Sequence, residues 1–238
     1  MALEIFDKSR LFLFAGHYGS GKSEIAVNFA MELARYHKTA IVDFDIINTF
    51  FRSAGARNAL TRTGVRLVAP VYANTNVDVP ALPAEISSLF DDKTYKAVFD
   101  VGGDSAGAKA VSRYRGEFTS EPVENFFVFN LRRPMTSTAD SLVEYFYKIQ
   151  DAARLSFTAL VNNTNLLEET GGADLLAGLD AAVELSVRLS LPVAFSAYMD
   201  RPRHGESVSD EGVSAFFSRS GSLGIPVFRI SKYIRTDY

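Results

Sequence analysis

The stretch LFLFAGHYGSGKSEIAVNFA breaks an apolar run with Gly16-His17-Tyr18-Gly19-Ser20-Gly21-Lys22-Ser23 before a helical pattern begins. The spacing Gly-x-x-x-x-Gly-Lys-Ser suits a loop that holds phosphate. Its glycines let successive backbone N–H groups turn inward around phosphate oxygens, and the positive end of the next helix adds to that field. Lys22 would reach the β- and γ-phosphates, the Ser23 hydroxyl would coordinate Mg2+, and Glu24 completes the run assigned to nucleotide binding. A chance glycine-rich turn is the alternative, and the strand before and helix after it weigh against that. His17 and Tyr18 fill variable positions. A histidine there is a γ-phosphate or partner contact, or a loop residue facing solvent.

Carboxylates recur where such a loop needs them. In TAIVDFDIINTFFRS an apolar strand ends in Asp43-Phe44-Asp45. Two carboxylates beside a phosphate repel it unless Mg2+ or a reactive water lies between, so Asp43 is assigned to the metal shell and Asp45 to the attacking water. The two could exchange roles, and a solvated strand end with a capping Asp is the bland alternative. In KAVFDVGGDSAG, Asp100 is placed to hold a Mg2+-bound water and Gly103 to turn its N–H toward the γ-phosphate, with a generic strand-to-turn sequence as the alternative. TALVNNTNLLEET ends a later strand in Asn162-Asn163-Thr164-Asn165. Asn162 and Asn163 are assigned to a nucleobase edge, or else to turn chemistry. The guanine-reading Asn-Lys-x-Asp pattern is missing there, which favours adenine and so ATP.

These residues need elements to hold them. Apolar runs at Leu11–Ala15, Thr39–Asp43, Val65–Ala69, Ala97–Asp100, Asn125–Asn130, Thr158–Asn162, Val193–Ala197 and Val227–Ile230 read as strands. Amphipathic stretches such as Ser23–Tyr36, Leu82–Phe90, Thr138–Ala153 and Ala173–Leu189 lie between them. Continuously apolar strands alternating with helices predict a three-layer, doubly wound α/β fold with a mostly parallel sheet covered on both faces. In such folds ligands sit at the carboxyl ends of the strands, where every motif above falls.

With 238 residues, 47% of them hydrophobic, the chain can bury one substantial core, and one domain over residues 1–238 is expected. A net charge of −3 gives no global basic field, so nucleic-acid binding is not expected. The absence of cysteine excludes disulfides, thiolate nucleophiles and Cys-held iron–sulfur clusters within the chain. MALEIFDKSR lacks the apolar core of a signal peptide and no stretch reaches the length of a membrane span, so a cytoplasmic location is expected. Arg132-Arg133, Arg113/Arg115 and Arg201/Arg203/His204 read as solvated basic clusters. The last lies in the polar stretch MDRPRHGESVSDEG, a loop near the base or a partner site. Arg52 is an internal arginine finger or an ion-pair partner, and Phe50-Phe51 a core or partner-binding pair.

The order of phosphate loop, Asp-x-Asp, Asp-x-x-Gly and late Asn-rich strand end resembles the MinD/ParA/CobQ/CobB group of P-loop nucleotide-binding proteins. The resemblance spans residues 10 to about 235 and is closest to ATP-binding members carrying VD-x-D-x-x-N-x-x-x-RS, here Val42 to Ser53. It implies ATP and Mg2+ as ligands and a slow ATPase whose nucleotide state switches a partner-binding surface. Two alternatives stand beside that reading. One is a small-molecule kinase or ligase like the dethiobiotin-synthetase and cobyrinate-amidase relatives; the other is a non-hydrolysing, nucleotide-dependent scaffold. Partitioning and septum-site members carry a second lysine early in the loop that crosses a dimer. This chain has His17 there, so a homodimer gains no support from a signature lysine. RISKYIRTDY is too short and mixed for a membrane-targeting amphipathic helix, and no membrane anchor is expected.

Overall fold

The computed structural model describes residues 4–44, 56–68, 85–103, 105–199 and 211–234. Asp45, Phe50, Phe51, Arg52, Arg201, Arg203 and His204 lie outside them, as does most of the VD-x-D-x-x-N-x-x-x-RS stretch.

Among the described residues eight strands form one sheet: β1 (Leu11–Ala15), β2 (Thr39–Phe44), β3 (Arg66–Val68), β4 (Lys96–Val101), β5 (Val123–Phe129), β6 (Ala159–Asn162), β7 (Val193–Met199) and β8 (Val227–Ile230). Their order is β3-β2-β4-β1-β5-β6-β7-β8, and every neighbouring pair is parallel. Parallel neighbours need crossovers, and helices supply them. The helices are α1 (Ile5–Lys8), α2 (Lys22–Leu33), α3 (Arg57–Arg62), α4 (Glu85–Asp91), α5 (Ser105–Ser112), α6 (Arg115–Thr119), α7 (Ala139–Ala153), α8 (Gly172–Leu189) and α9 (Glu211–Ser222). The expected three-layer α/β fold is present, with each predicted strand in place and boundaries moved by a residue or two. β2 runs one residue past Asp43 because Phe44 is wholly buried and continues the ladder opposite Val101.

The alternation of side chains along the strands splits the core in two. Phe12, Phe14, Ile41 and Val98 face α2, whose Phe29 packs against Phe6, Phe12, Phe14, Phe126, Phe195 and Phe228. Leu13, Val42, Phe99 and Phe127 face the other way, under α4 to α8. Continuously apolar strands are the consequence of covering both faces.

This topology determines where a ligand can sit. The strand after β1 goes to one side, beyond β4, whereas β5 lies on the other, so the chain direction reverses at β1. Crossovers diverge there and leave a crevice at the carboxyl ends of β4, β1 and β5. Into it project the loops that begin at Gly16, Gly102 and Asn130.

Candidate functional site: a phosphate loop clasped by its neighbours

The loop leaves β1 after Ala15 and enters α2 at Lys22. A Cβ on Gly16 would lie 2.0 Å from the Val128 carbonyl oxygen of β5, so only a residue without a side chain can start the turn there. At the other end Gly21 has φ +82°, a left-handed conformation, and caps the first turn of α2. Between them Ser20 N–H donates to the His17 carbonyl at 3.0 Å, which closes the tip. The sequence Gly-x-x-x-x-Gly therefore builds a tight curl on the start of a twelve-residue helix.

Inside this curl lies an unbalanced charge. Lys22 is only 5% exposed, and among the described residues no carboxylate lies within ion-pair distance of its ammonium group. The Ser20 hydroxyl is buried as well and has no hydrogen-bond partner among the described residues. A buried cation costs several kcal/mol unless an anion joins it, on the order of the desolvation of an ammonium. A loop with that cation, an unsatisfied hydroxyl and an open first helical turn fits a phosphate.

Asp43 and Asp100 stand side by side. They are register partners on β2 and β4, and Asp100 is also level with Phe14 of β1. Register partners share a face, so both carboxylates lie on the side covered by α2, the helix that carries Ser23 in its first turn. Each is 2% exposed. Among the described residues no three His, Asp or Glu side chains gather as a metal cage. Two carboxylates and a hydroxyl suit Mg2+, which keeps several waters and takes further oxygens from phosphates.

The turn after β4 presses on the loop. A Cβ on Gly103 would come within 2.7 Å of Tyr18 N and 3.1 Å of Lys22 Nζ, so the Asp100-to-Gly103 turn and the phosphate loop touch through backbone. Tyr18 itself is 58% exposed above them. His17 turns the other way, its ring edge-on to Tyr145 of α7 at 4.4 Å. Burial holds the His17 pKa below its ordinary 6.5. The nearby charges of Lys22, Lys148 and Arg133 act in the same sense, and a backbone hydrogen bond at Tyr18 opposes them.

Three residues expected to meet nucleotide make hydrogen bonds within the protein. Asn163 Nδ2 donates to the Ser20 carbonyl at 2.7 Å, and its Oδ1 accepts from Asn165 Nδ2 at 3.0 Å. Asn162 Nδ2 donates to Ser196 Oγ at 3.2 Å, and its Oδ1 accepts from Thr164 N–H at 3.0 Å. The end of β6 lies against the loop, and both amides are buried and satisfied internally, Asn163 tying β6 to the loop through Ser20. The Glu24 carboxylate accepts from Tyr233 N–H at 2.7 Å and Ile234 N–H at 3.1 Å, tying the segment after β8 to α2. Burial raises its pKa above the ordinary carboxylate value, against the pull of those two N–H groups.

Arg133 departs from the expected solvated pair with Arg132: its Nε donates to the Gly19 carbonyl of the loop at 2.8 Å. The available signal was position: it follows β5, the strand beside β1. Arg132 remains at the surface, paired with Asp174 at 2.7 Å.

No family model matches the chain, and no curated protein is similar to it in sequence. Solved structures do resemble it. The signal recognition particle 54 kDa protein of Aeropyrum pernix K1, in complex with GDP, superposes with a TM-score of 0.52 at 12% identity over 92% of this chain and 50% of its own. FtsY of Thermotoga maritima gives 0.53 at 18% identity over 84% and 63%, and chloroplast FtsY of Physcomitrella patens 0.54 at 18% over 87% and 64%. The chain thus spans between half and two thirds of these structures' lengths. The likeness establishes the P-loop NTPase fold. Among the described residues no helix is long and apolar enough to cross a membrane.

Proposed function

We propose that this chain is a Mg2+-dependent ATP-binding protein of the MinD/ParA/CobQ/CobB type, a slow ATPase whose bound nucleotide sets a surface for a partner protein. The observation that carries the reading is the buried Lys22, without an ion-pair partner among the described residues, inside a glycine loop that Gly103 touches. Lys22 engages the β- and γ-phosphates, and the first-turn N–H groups of α2 hold the inner ones. Ser23, Asp43 and Asp100 hold Mg2+, which neutralises phosphate charge when bound. Asp45 orients the attacking water.

Switching follows from contact. Gly103 lies between the loop and α5, so an N–H drawn toward a terminal phosphate moves that turn and the helix after it. Tyr18, Met135 and Leu167 are exposed apolar side chains on the loops of this same end, and a partner protein covers them.

ATP is favoured over GTP because β6 ends without an Asp to accept guanine's donors. GTP is the competing ligand, since related folds were solved with GDP. Calorimetric titration of ATP and GTP into wild type and Lys22→Ala tests the reading. ATP should bind in preference, and Lys22→Ala should weaken it about a hundredfold, the loss of a strong charge-assisted contact. GTP preference reverses the base assignment. Unchanged affinity in Lys22→Ala removes the loop from the site.

A further inference from the structure

Arg132 and Arg133 leave the end of β5 in opposite directions. Arg132 is exposed and pairs with Asp174 in the first turn of α8. Arg133 is half-buried and reaches the phosphate loop, where its Nε meets the Gly19 carbonyl and its guanidinium carbon lies 4.0 Å from the place of a Gly19 Cβ. Bonding through Nε leaves both Nη groups free to donate. Among the described residues nothing accepts from them and no carboxylate pairs with them. The stem is held still: Thr136 N–H donates to the Arg133 carbonyl at 3.0 Å, Thr136 Oγ1 to the Asn130 carbonyl at 2.9 Å, and Arg132 N–H to Asn130 Oδ1 at 2.9 Å.

A fixed guanidinium with two outward donor groups at the rim of a phosphate loop is matched by phosphate oxygens, which its planar fork meets in pairs. Position selects which phosphate. The start of α2 takes the inner phosphates, whereas Gly19 belongs to the tip, beside Tyr18, and the Gly103 turn comes up against that tip and the Lys22 ammonium together, a Cβ on Gly103 lying 2.7 Å from Tyr18 N and 3.1 Å from Lys22 Nζ. That is the end where a triphosphate extends beyond a diphosphate. We propose that Arg133 contacts the terminal phosphate of a bound nucleoside triphosphate and is the residue that distinguishes triphosphate from diphosphate. The inference rests on the nucleotide reading above and adds a residue to it.

Calorimetric Kd values for ADP and for the β,γ-imido analogue of ATP, with the guanine pair in parallel, test it in wild type, Arg133→Ala, Arg133→Lys and Arg132→Ala. Arg133→Ala should lose about tenfold or more in triphosphate affinity, the effect of one hydrogen bond to a charged group, with diphosphate affinity held within about twofold. Retained diphosphate binding also shows that the variant loop is folded. Arg133→Lys keeps the charge without the Nε anchor and should recover only part of the loss. Arg132→Ala should change neither value. Equal losses for both nucleotides would make Arg133 a brace of the loop alone and overturn the proposal, as would unchanged triphosphate affinity. A wild-type chain that binds none of the four nucleotides overturns the underlying nucleotide reading and this inference with it.

Discussion

At the amino ends of the strands Arg10 donates to Glu121 from Nε at 2.7 Å and again from Nη2, while its Nη1 meets the carbonyls of Leu89 and Tyr95. Lys93 reaches the same Glu121 at 2.8 Å, Lys38 pairs with Asp92, His37 with Asp7, and Lys96 donates to the carbonyls of Phe6 and Ser9. At the carboxyl ends Lys22 is more deeply buried than any of these basic side chains and lies within ion-pair distance of no described carboxylate. One end of the sheet uses charge to close the fold. The other buries Lys22 without an ion-pair partner among the described residues, which costs stability unless an anion supplies the balance. The difference teaches that burial without a described partner, rather than basicity, sets the end of the proposed site apart.

Paired substitutions should break the symmetry most visibly. Arg10→Met leaves Glu121 with Lys93 alone and strips two carbonyls of a donor, so it should cost about 2–3 kcal/mol in denaturant unfolding. Lys22→Met removes a buried charge with nothing left behind and should leave the ligand-free protein as stable as before, or more so. Comparable losses in both variants would mean that Lys22 is a structural charge like Arg10.

Gly103→Ala isolates the contact between the two loops. A methyl group 2.7 Å from Tyr18 N has to displace backbone, so the turn and the phosphate loop must separate. Nucleotide affinity should fall about tenfold while unfolding free energy changes by about 1 kcal/mol, within the range for a local overpacking. A large stability loss with unaltered affinity would place the contact outside the site.

The smallest effects lie in pH. Hydrogen bonds from Arg10, then Lys93, hold the Glu121 carboxyl below its ordinary 4.5. The unfolded chain binds that proton first, so this contribution is complete above the unfolded value and is lost as pH falls through the folded one. His17 is lowered too, so the free protein loses stability as pH falls below 6.5, where the unfolded histidine charges first. A bound phosphate reverses the sign at His17 alone. Its negative charge favours the charged histidine and binding takes up a proton, so the ratio of wild-type to His17→Gln affinity, in which the nucleotide's own titration cancels, should rise by about two- to threefold between roughly pH 7.5 and 6. A pH-independent ratio would show that His17 does not sense the phosphate.

The phosphate loop, the eight strands and the α/β layering were legible because each depends on local pattern. Glycine spacing dictates a curl, and continuous apolar runs dictate strands covered on both faces. The roles of Asn162, Asn163, Glu24 and Arg133 were not legible, because each depends on a partner far away in the chain. Asn163 meets Ser20, Glu24 meets Tyr233 and Ile234, and Arg133 meets Gly19. An amide at a strand end suits a nucleobase and a neighbouring carbonyl equally well until the fold says which lies nearer.

By itself the sequence determined that a glycine loop of the P-loop pattern follows the first strand and that Asp43 and Asp100 lie near the carboxyl ends of apolar strands, since residue type and spacing are enough for both. Only the tertiary structure decided that those two carboxylates share one face beside α2, that Gly103 rests on Tyr18, and that one of two adjacent arginines turns to the loop while the other faces Asp174. The physical reason is strand order. Placing β4 and β5 on either side of β1 brings three loops from distant parts of the chain within bonding distance, and hydrogen bonds, steric exclusion and ion pairs act only at such range.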